Sequence, residues 1–241
     1  MPLVPHGREV AITRIEWPQC WRVIATRFPP IHLFERVSTD PAVWEVLIEL
    51  EALTNPRVRN DVGNINLVPP AKRVSGRNAS WVMAPFTHVN KNGSRFSDGT
   101  YGVYYAAGEM LTAIAETAYH FGRIAMDSDD PPRREDMRVL VGSIQNDFED
   151  VESLPEHYRS AVLAKDSYKD SRAFALTRRC EECNGLSYPS VRRNEGHCIA
   201  SFWPDAVGIP IQERHLRYEW DGARVGRYFD FKEERWLPLG D

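Results

Sequence analysis

The chain has 241 residues, 42% hydrophobic and 27% charged, a balance that supports a packed core and excludes the disordered class. Its net charge of −4 gives no basic footprint for direct nucleic-acid binding. No apolar stretch is long enough to span a bilayer and the first residues lack an apolar signal core, so a soluble cytoplasmic protein is expected.

In chain order, Glu9–Ile15 alternates polar and apolar residues and predicts an edge strand, and Trp21–Ile24 predicts a second strand ended by Phe28-Pro29-Pro30. Asp40 and Pro41 suit an N-cap and first helical position, ahead of Val43, Leu47, Leu50 and Leu53 at helical spacing up to Asn55-Pro56. Residues 56–94, rich in Pro, Gly, Asn and Arg, predict loops and short strands, among them Trp81-Val82-Met83. Gly102–Ala106 predicts a short strand, followed by a helix whose stripe is Met110, Ile114, Ala118 and Phe121. Residues 127–137 predict a charged surface connection, Met137–Ile144 a strand, and residues 155–182 one or two helices. Two strands joined by a polar turn are predicted at Gly185–Val191 and Cys198–Trp203, then a hairpin through Arg217–Asp221 and Val225–Phe231. Strands and helices without regular βαβ alternation predict an α+β fold, with mixed or antiparallel sheets and flanking helices.

The common catalytic motifs are absent: no Walker loop, no G-x-G-x-x-G opening a helix, no H-E-x-x-H and no G-x-S-x-G. Cys180, Cys183 and Cys198 lack the paired spacing of structural zinc, since His197 and Cys198 are adjacent, and reduced thiols near a turn are expected with no metal. His88 and His120 are most simply satisfied polar residues.

One segment concentrates polar chemistry. Arg95 lies in the turn Arg95-Phe-Ser-Asp-Gly99, Tyr105 falls near the end of the next strand, and Glu116 sits on the following helix among Ala113, Ala115 and Thr117. Small neighbours around a carboxylate suit an interior cleft. The same residues also fit a solvated helix glutamate and an unrelated surface arginine.

This segment resembles the signature of the RES domain, which places an arginine in a glycine-bearing turn, an aromatic strand and then a helical glutamate. Arg95, Tyr104-Tyr105-Ala106 and Ala113-Ile-Ala-Glu116 supply these at steps of 10 and 21 residues from Arg95 to Tyr105 and Glu116. The family's serine matches Ser190 in Gly185-Leu-Ser-Tyr-Pro-Ser190, Cys198–Pro204 is also family-like, and an early arginine matches Arg22 after Trp21. The resemblance runs through residues 20–207 of one RES-type domain over 1–241. It departs where Arg22 and Arg95 stand 73 residues apart, a separation that compact members lack and that points to an elaboration at residues 39–90.

The resemblance implies a fold like that of diphtheria-type ADP-ribosyltransferases and consumption of NAD. It makes Glu116 the carboxylate beside the reacting ribose, Arg95 and Arg22 the pyrophosphate anchors, and Tyr105 an aromatic wall for nicotinamide whose hydroxyl still donates. Ser190 then orients the nicotinamide amide or a ribose hydroxyl, or simply bonds at a strand end. It further implies the toxin of a toxin–antitoxin pair with an Xre-like antitoxin, and admits a homodimer within that complex. The acceptor stays open between water, phosphate and a protein side chain, the last making a mono-ADP-ribosyltransferase. A non-enzymatic binding module with the same fold is the alternative of a different class.

Overall fold

The computed structural model describes residues 10–28, 43, 46 and 63–240. The predicted helix after Asp40, apart from Val43 and Val46, and much of the 39–90 elaboration lie outside the described residues.

Eight strands build one mixed sheet system: β1 (Ile12–Ala25), β2 (Tyr104–Ala107), β3 (Arg133–Asp150), β4 (Gly185–Pro189), β5 (His197–Ser201), β6 (Ile211–Trp220), β7 (Val225–Asp230) and β8 (Arg235–Pro238). The order is β1-β2-β5-β4-β3-β6-β7-β8, and β1 also pairs with β3. The first five strands therefore close a ring, and β6–β8 continue outward from β3. All pairings are antiparallel except β3 with β4, whose connection carries two helices, α3 (Glu156–Val162) and α4 (Lys169–Cys180). The α+β expectation with a mixed sheet holds.

Pleating divides the core. In β2, Tyr104 and Ala106 point to one face with Cys20, Ile144, Phe148 and Ile199, and α1 (Ala79–Thr87) covers that face with Val82, Met83 and Phe86. Tyr105 and Ala107 point to the other, where α2 (Met110–Asp127) buries Ile114, Ala118 and Phe121 against Val23, Val139, Leu216 and Tyr218. Side chains of this size stabilise by about 1.5–3 kcal/mol each when fully buried, so α2 is fixed by its stripe.

Three expectations need correction. Ile12–Ile15 and Trp21–Ile24, expected as two strands, fall on one, β1, whose register shift between Trp17 and Cys20 absorbs Pro18 and Gln19, while Glu9 lies outside the described residues; Ile12–Trp17 pairs with β3, as an edge segment does, and beyond the shift β1 meets both β3 and β2. The charged run was expected to stay a connection up to residue 137, but β3 starts at Arg133. Its alternating charges find cross-strand partners, such as Asp136 with Arg217 Nε at 2.6 Å and Arg134 with Glu219 at 3.2 Å. Trp81-Val82-Met83 is helical, since Val82, Met83 and Phe86 fall on one buried face at helical spacing.

Candidate active site

β1 and β2 share a single register pair, Trp21 with Ala107. Beyond it they part, and a cleft of about 460 Å³ opens there. Its walls are β1, β2, the turn before β2, the start of α4 and one face of α2. Arg22, Arg95, Tyr105 and Glu116 all line it. Ser190 stands behind the wall, in contact with Glu116.

Arg22 spans the gap between the parted strands, its Nη1 donating to the Tyr105 carbonyl at 2.8 Å while the guanidinium lies 4.6 Å from the Tyr104 ring centroid. Its Nε is buried with no hydrogen-bond partner among the described residues. Burial lowers its pKa from the ordinary arginine value, the sign of a cation deprived of water that an anion would compensate.

The Arg95 turn is folded by glycine and held from three sides. Gly93 has φ +74°, and a Cβ there would fall 2.4 Å from the Ser97 carbonyl oxygen. Tyr105 Oη accepts from the Phe96 amide at 3.0 Å and bonds Ser94 Oγ at 2.7 Å. From α4, Ser171 Oγ donates to the Arg95 carbonyl at 2.7 Å, and Arg172 Nε and Nη2 donate to the carbonyls of Ser94 and Asn92 at 2.8 and 2.9 Å. Arg95 itself is 5% exposed. Its Nη1 donates to the Ala164 carbonyl at 2.9 Å, and its guanidinium stacks 4.7 Å from the Tyr168 ring. Among the described residues only Nη1 has protein acceptors, which leaves Nε and Nη2 for a ligand.

The Tyr105 hydroxyl thus braces the turn as an acceptor, and where Ser94 Oγ is the donor of their shared bond its proton remains for a ligand. Its ring lines the cleft, and burial pushes its pKa up to about 12.

Glu116 is half-buried on α2. Ser190 Oγ donates to its Oε1 at 2.6 Å and accepts from the amides of Arg192 and Arg193, both at 3.1 Å. Two incoming amides leave the hydroxyl proton one direction, toward the carboxylate. Ser190 therefore aims Glu116 and does not line the cleft, a different role from the ligand contact implied by the resemblance.

Other lining residues were not singled out from sequence: Arg123, Asp127, Arg172 and Tyr168. His120, expected to be an ordinary satisfied polar residue, faces the cleft. Desolvation by the cleft walls, then the charges of Arg192, Arg95 and Arg123, push its pKa down to about 4. His88, by contrast, pairs with Thr87 Oγ1 at 3.1 Å. A signal for part of this set was present, because residues 116, 120, 123 and 127 share one helical face. Arg22, Arg95, Arg123 and Arg172 oppose Glu116 and Asp127 in the lining. The cleft is cationic on a chain of net charge −4 and draws anions.

The family model for the RES domain matches residues 70–221. The chain belongs to this family. The matched span includes Arg95, Tyr105, Glu116 and Ser190, while Arg22 lies upstream of it. A similar sequence is "Uncharacterized protein y4oC" of Sinorhizobium fredii (strain NBRC 101917 / NGR234), 27% identical over 215 residues, or 88% of this chain and 87% of that protein. Among solved structures, one from the M. tuberculosis MbcT–MbcA toxin–antitoxin complex aligns with TM-score 0.42 and 10% identity, over 87% of this chain and 88% of that one.

Proposed function

We propose that this RES-domain chain cleaves the nicotinamide–ribose bond of NAD and acts as the toxin of a toxin–antitoxin pair. One observation carries the chemical reading: Arg22, Arg95, Tyr105 and Glu116 line one cationic cleft, although they come from a strand, a turn, a second strand and a helix.

The division of labour follows from residue type. Guanidinia fork onto pyrophosphate oxygens, and Arg22 in the lining together with the Nε and Nη2 of Arg95 supply the guanidinium groups. As the C1′–N bond breaks, its electron pair leaves with nicotinamide, whose ring becomes neutral and needs no proton. Positive charge then develops on the ribose, and the Glu116 carboxylate stabilises it. Ser190 occupies Oε1, so Oε2 faces the sugar. An acceptor oxygen from water or phosphate forms the new bond to C1′, and where it carries a proton, the proton passes to Glu116. The Tyr105 ring walls the planar nicotinamide.

The toxin role rests on family membership. A consumer of a shared cofactor stops growth unless restrained, and the restraint proposed is an Xre-like antitoxin bound over the cleft. The test is incubation of the purified chain with NAD and chromatography of the products. Nicotinamide with ADP-ribose identifies water as acceptor, and nicotinamide with phosphorylated ADP-ribose identifies phosphate. Labelled protein instead indicates a transferase, and no turnover a binding module. Glu116→Gln should lower turnover by about 10²–10³ with the fold retained, the scale of losing one preorganised electrostatic group. Near-wild-type turnover in that variant overturns the assignment. Expression alone should lower cellular NAD and arrest growth, and an antitoxin encoded nearby should relieve the arrest.

A further inference from the structure

α2 carries more of the cleft than Glu116. Glu116, His120, Arg123, Ile124 and Asp127 all line it, so one face of the helix runs along it from residue 116 to 127, about 16 Å at 1.5 Å per residue step. The chemistry changes in order along that face. A carboxylate is followed by an imidazole, then by Arg123, about 10 Å along the helix axis from Glu116, then by Ile124, an aliphatic side chain 58% exposed, and last by the Asp127 carboxylate. A dinucleotide offers groups to match these: a reacting ribose, a pyrophosphate, and beyond it a second ribose bearing a flat base.

We infer that the last two turns of α2 hold the adenosine end, with Ile124 beneath the adenine and Asp127 accepting hydrogen bonds from the adenosine-ribose hydroxyls, so that the site takes NAD and rejects its 2′-phosphorylated form, NADP. The inference rests on the NAD-cleaving reading for placing the reacting ribose at Glu116. Within the protein, Asp127 is exposed and is set against the charge of Arg123, four residues earlier. It forms no ion pair within 4 Å among the described residues, and it lies in the last helical turn, where the macrodipole disfavours an anion. Toward a ligand it has a clear use. A carboxylate accepts from two ribose hydroxyls, as acidic residues do in other dinucleotide sites, and repels a 2′-phosphate bearing about −1.5 to −2 charges. It also sits four residues after Arg123 on the same face, where it offsets a guanidinium that would otherwise welcome that phosphate.

The experiment compares kcat/KM for NAD and NADP in the full chain and in Asp127→Asn and Asp127→Lys, alongside calorimetry with ADP-ribose and 2′-phospho-ADP-ribose, which need no cleavage to bind. The wild type should prefer the unphosphorylated form by about tenfold or more, the scale of one hydrogen bond to a charged group. Asp127→Asn should narrow that preference and Asp127→Lys reverse it. Wild-type indifference between the two forms, or unchanged preference in both variants, overturns the inference even if NAD is cleaved. If neither dinucleotide is cleaved but the calorimetric preference shifts as stated, the inference stands and the cleavage reading falls. If neither ADP-ribose form binds, both fall.

Discussion

Removing the Ser190 hydroxyl separates aiming a catalytic group from touching the substrate. In Ser190→Ala, Glu116 Oε1 loses a 2.6 Å hydrogen bond, and the amides of Arg192 and Arg193 lose their shared acceptor. A hydrogen bond to a charged group contributes about 1.5–3 kcal/mol. If that energy is expressed only when the carboxylate meets the developing ribose charge, kcat should fall about 10–150-fold, at 1.36 kcal/mol per tenfold. KM for NAD should change little, because Ser190 does not line the cleft. Ser190→Thr keeps the hydroxyl and should restore much of the loss. Steady-state NAD consumption with nicotinamide quantified by chromatography gives both constants. A large rise in KM with kcat intact would refute the positioning role and return Ser190 to direct contact with the ligand. Equal kcat in Ser190→Ala and wild type would show that Glu116 is aimed by something else.

Arg95→Lys keeps the charge but loses the fork, so KM for NAD should rise about tenfold, and a lost backbone contact should cost about 1 kcal/mol of stability; an unchanged KM moves the phosphate role to Arg22 or Arg123. Tyr105→Phe keeps the aromatic wall and removes the acceptor of the Phe96 amide, so it should loosen the Arg95 turn and lower thermal stability while leaving nicotinamide stacking intact. A variant as stable as wild type would count against the bracing role. His120 has a folded pKa depressed to about 4 against about 6.5 in the unfolded chain. As pH falls through that window the unfolded chain takes up a proton that the folded one refuses, so stability drops from about pH 6.5 to 4 and is level above. Midpoints of thermal unfolding across that range should slope less in His120→Gln, and identical slopes would rule the histidine out.

What was legible in the sequence was mostly local. α2 announced itself through Met110, Ile114, Ala118 and Phe121, because a 3.6-residue period on one chain segment is set by one buried face. Arg95, Tyr105 and Glu116 were legible together only through the resemblance to the RES signature, and the direct succession of turn, strand and helix is what carries them to one place. The missed features depend on distant partners. The charged start of β3 is a strand only because β6 lies alongside it. The continuity of β1 across Pro18 depends on β3. Arg172 and Tyr168 reach the cleft only after the crossover from β3 to β4 sets the start of α4 beside the Arg95 turn.

Tyr105 explains why 73 residues between the two arginines do not separate them. Its carbonyl accepts from Arg22 Nη1, and its hydroxyl accepts from the backbone just after Arg95. One residue on a short strand thus ties the early strand to the later turn, and both arginines are referenced to it and not to the chain between them. Loop-closure cost grows only slowly with length, so an insertion between Arg22 and Arg95 leaves the cleft intact provided that its ends return to β1 and to the turn. The arrangement also couples the site's two ends. A change that shifts β2 moves Arg22 through the carbonyl and the Arg95 turn through the hydroxyl together. Removing the hydroxyl alone releases the turn but keeps Arg22 in place, and for that reason Tyr105→Phe, more than Tyr105→Ala, isolates what the turn contributes to binding.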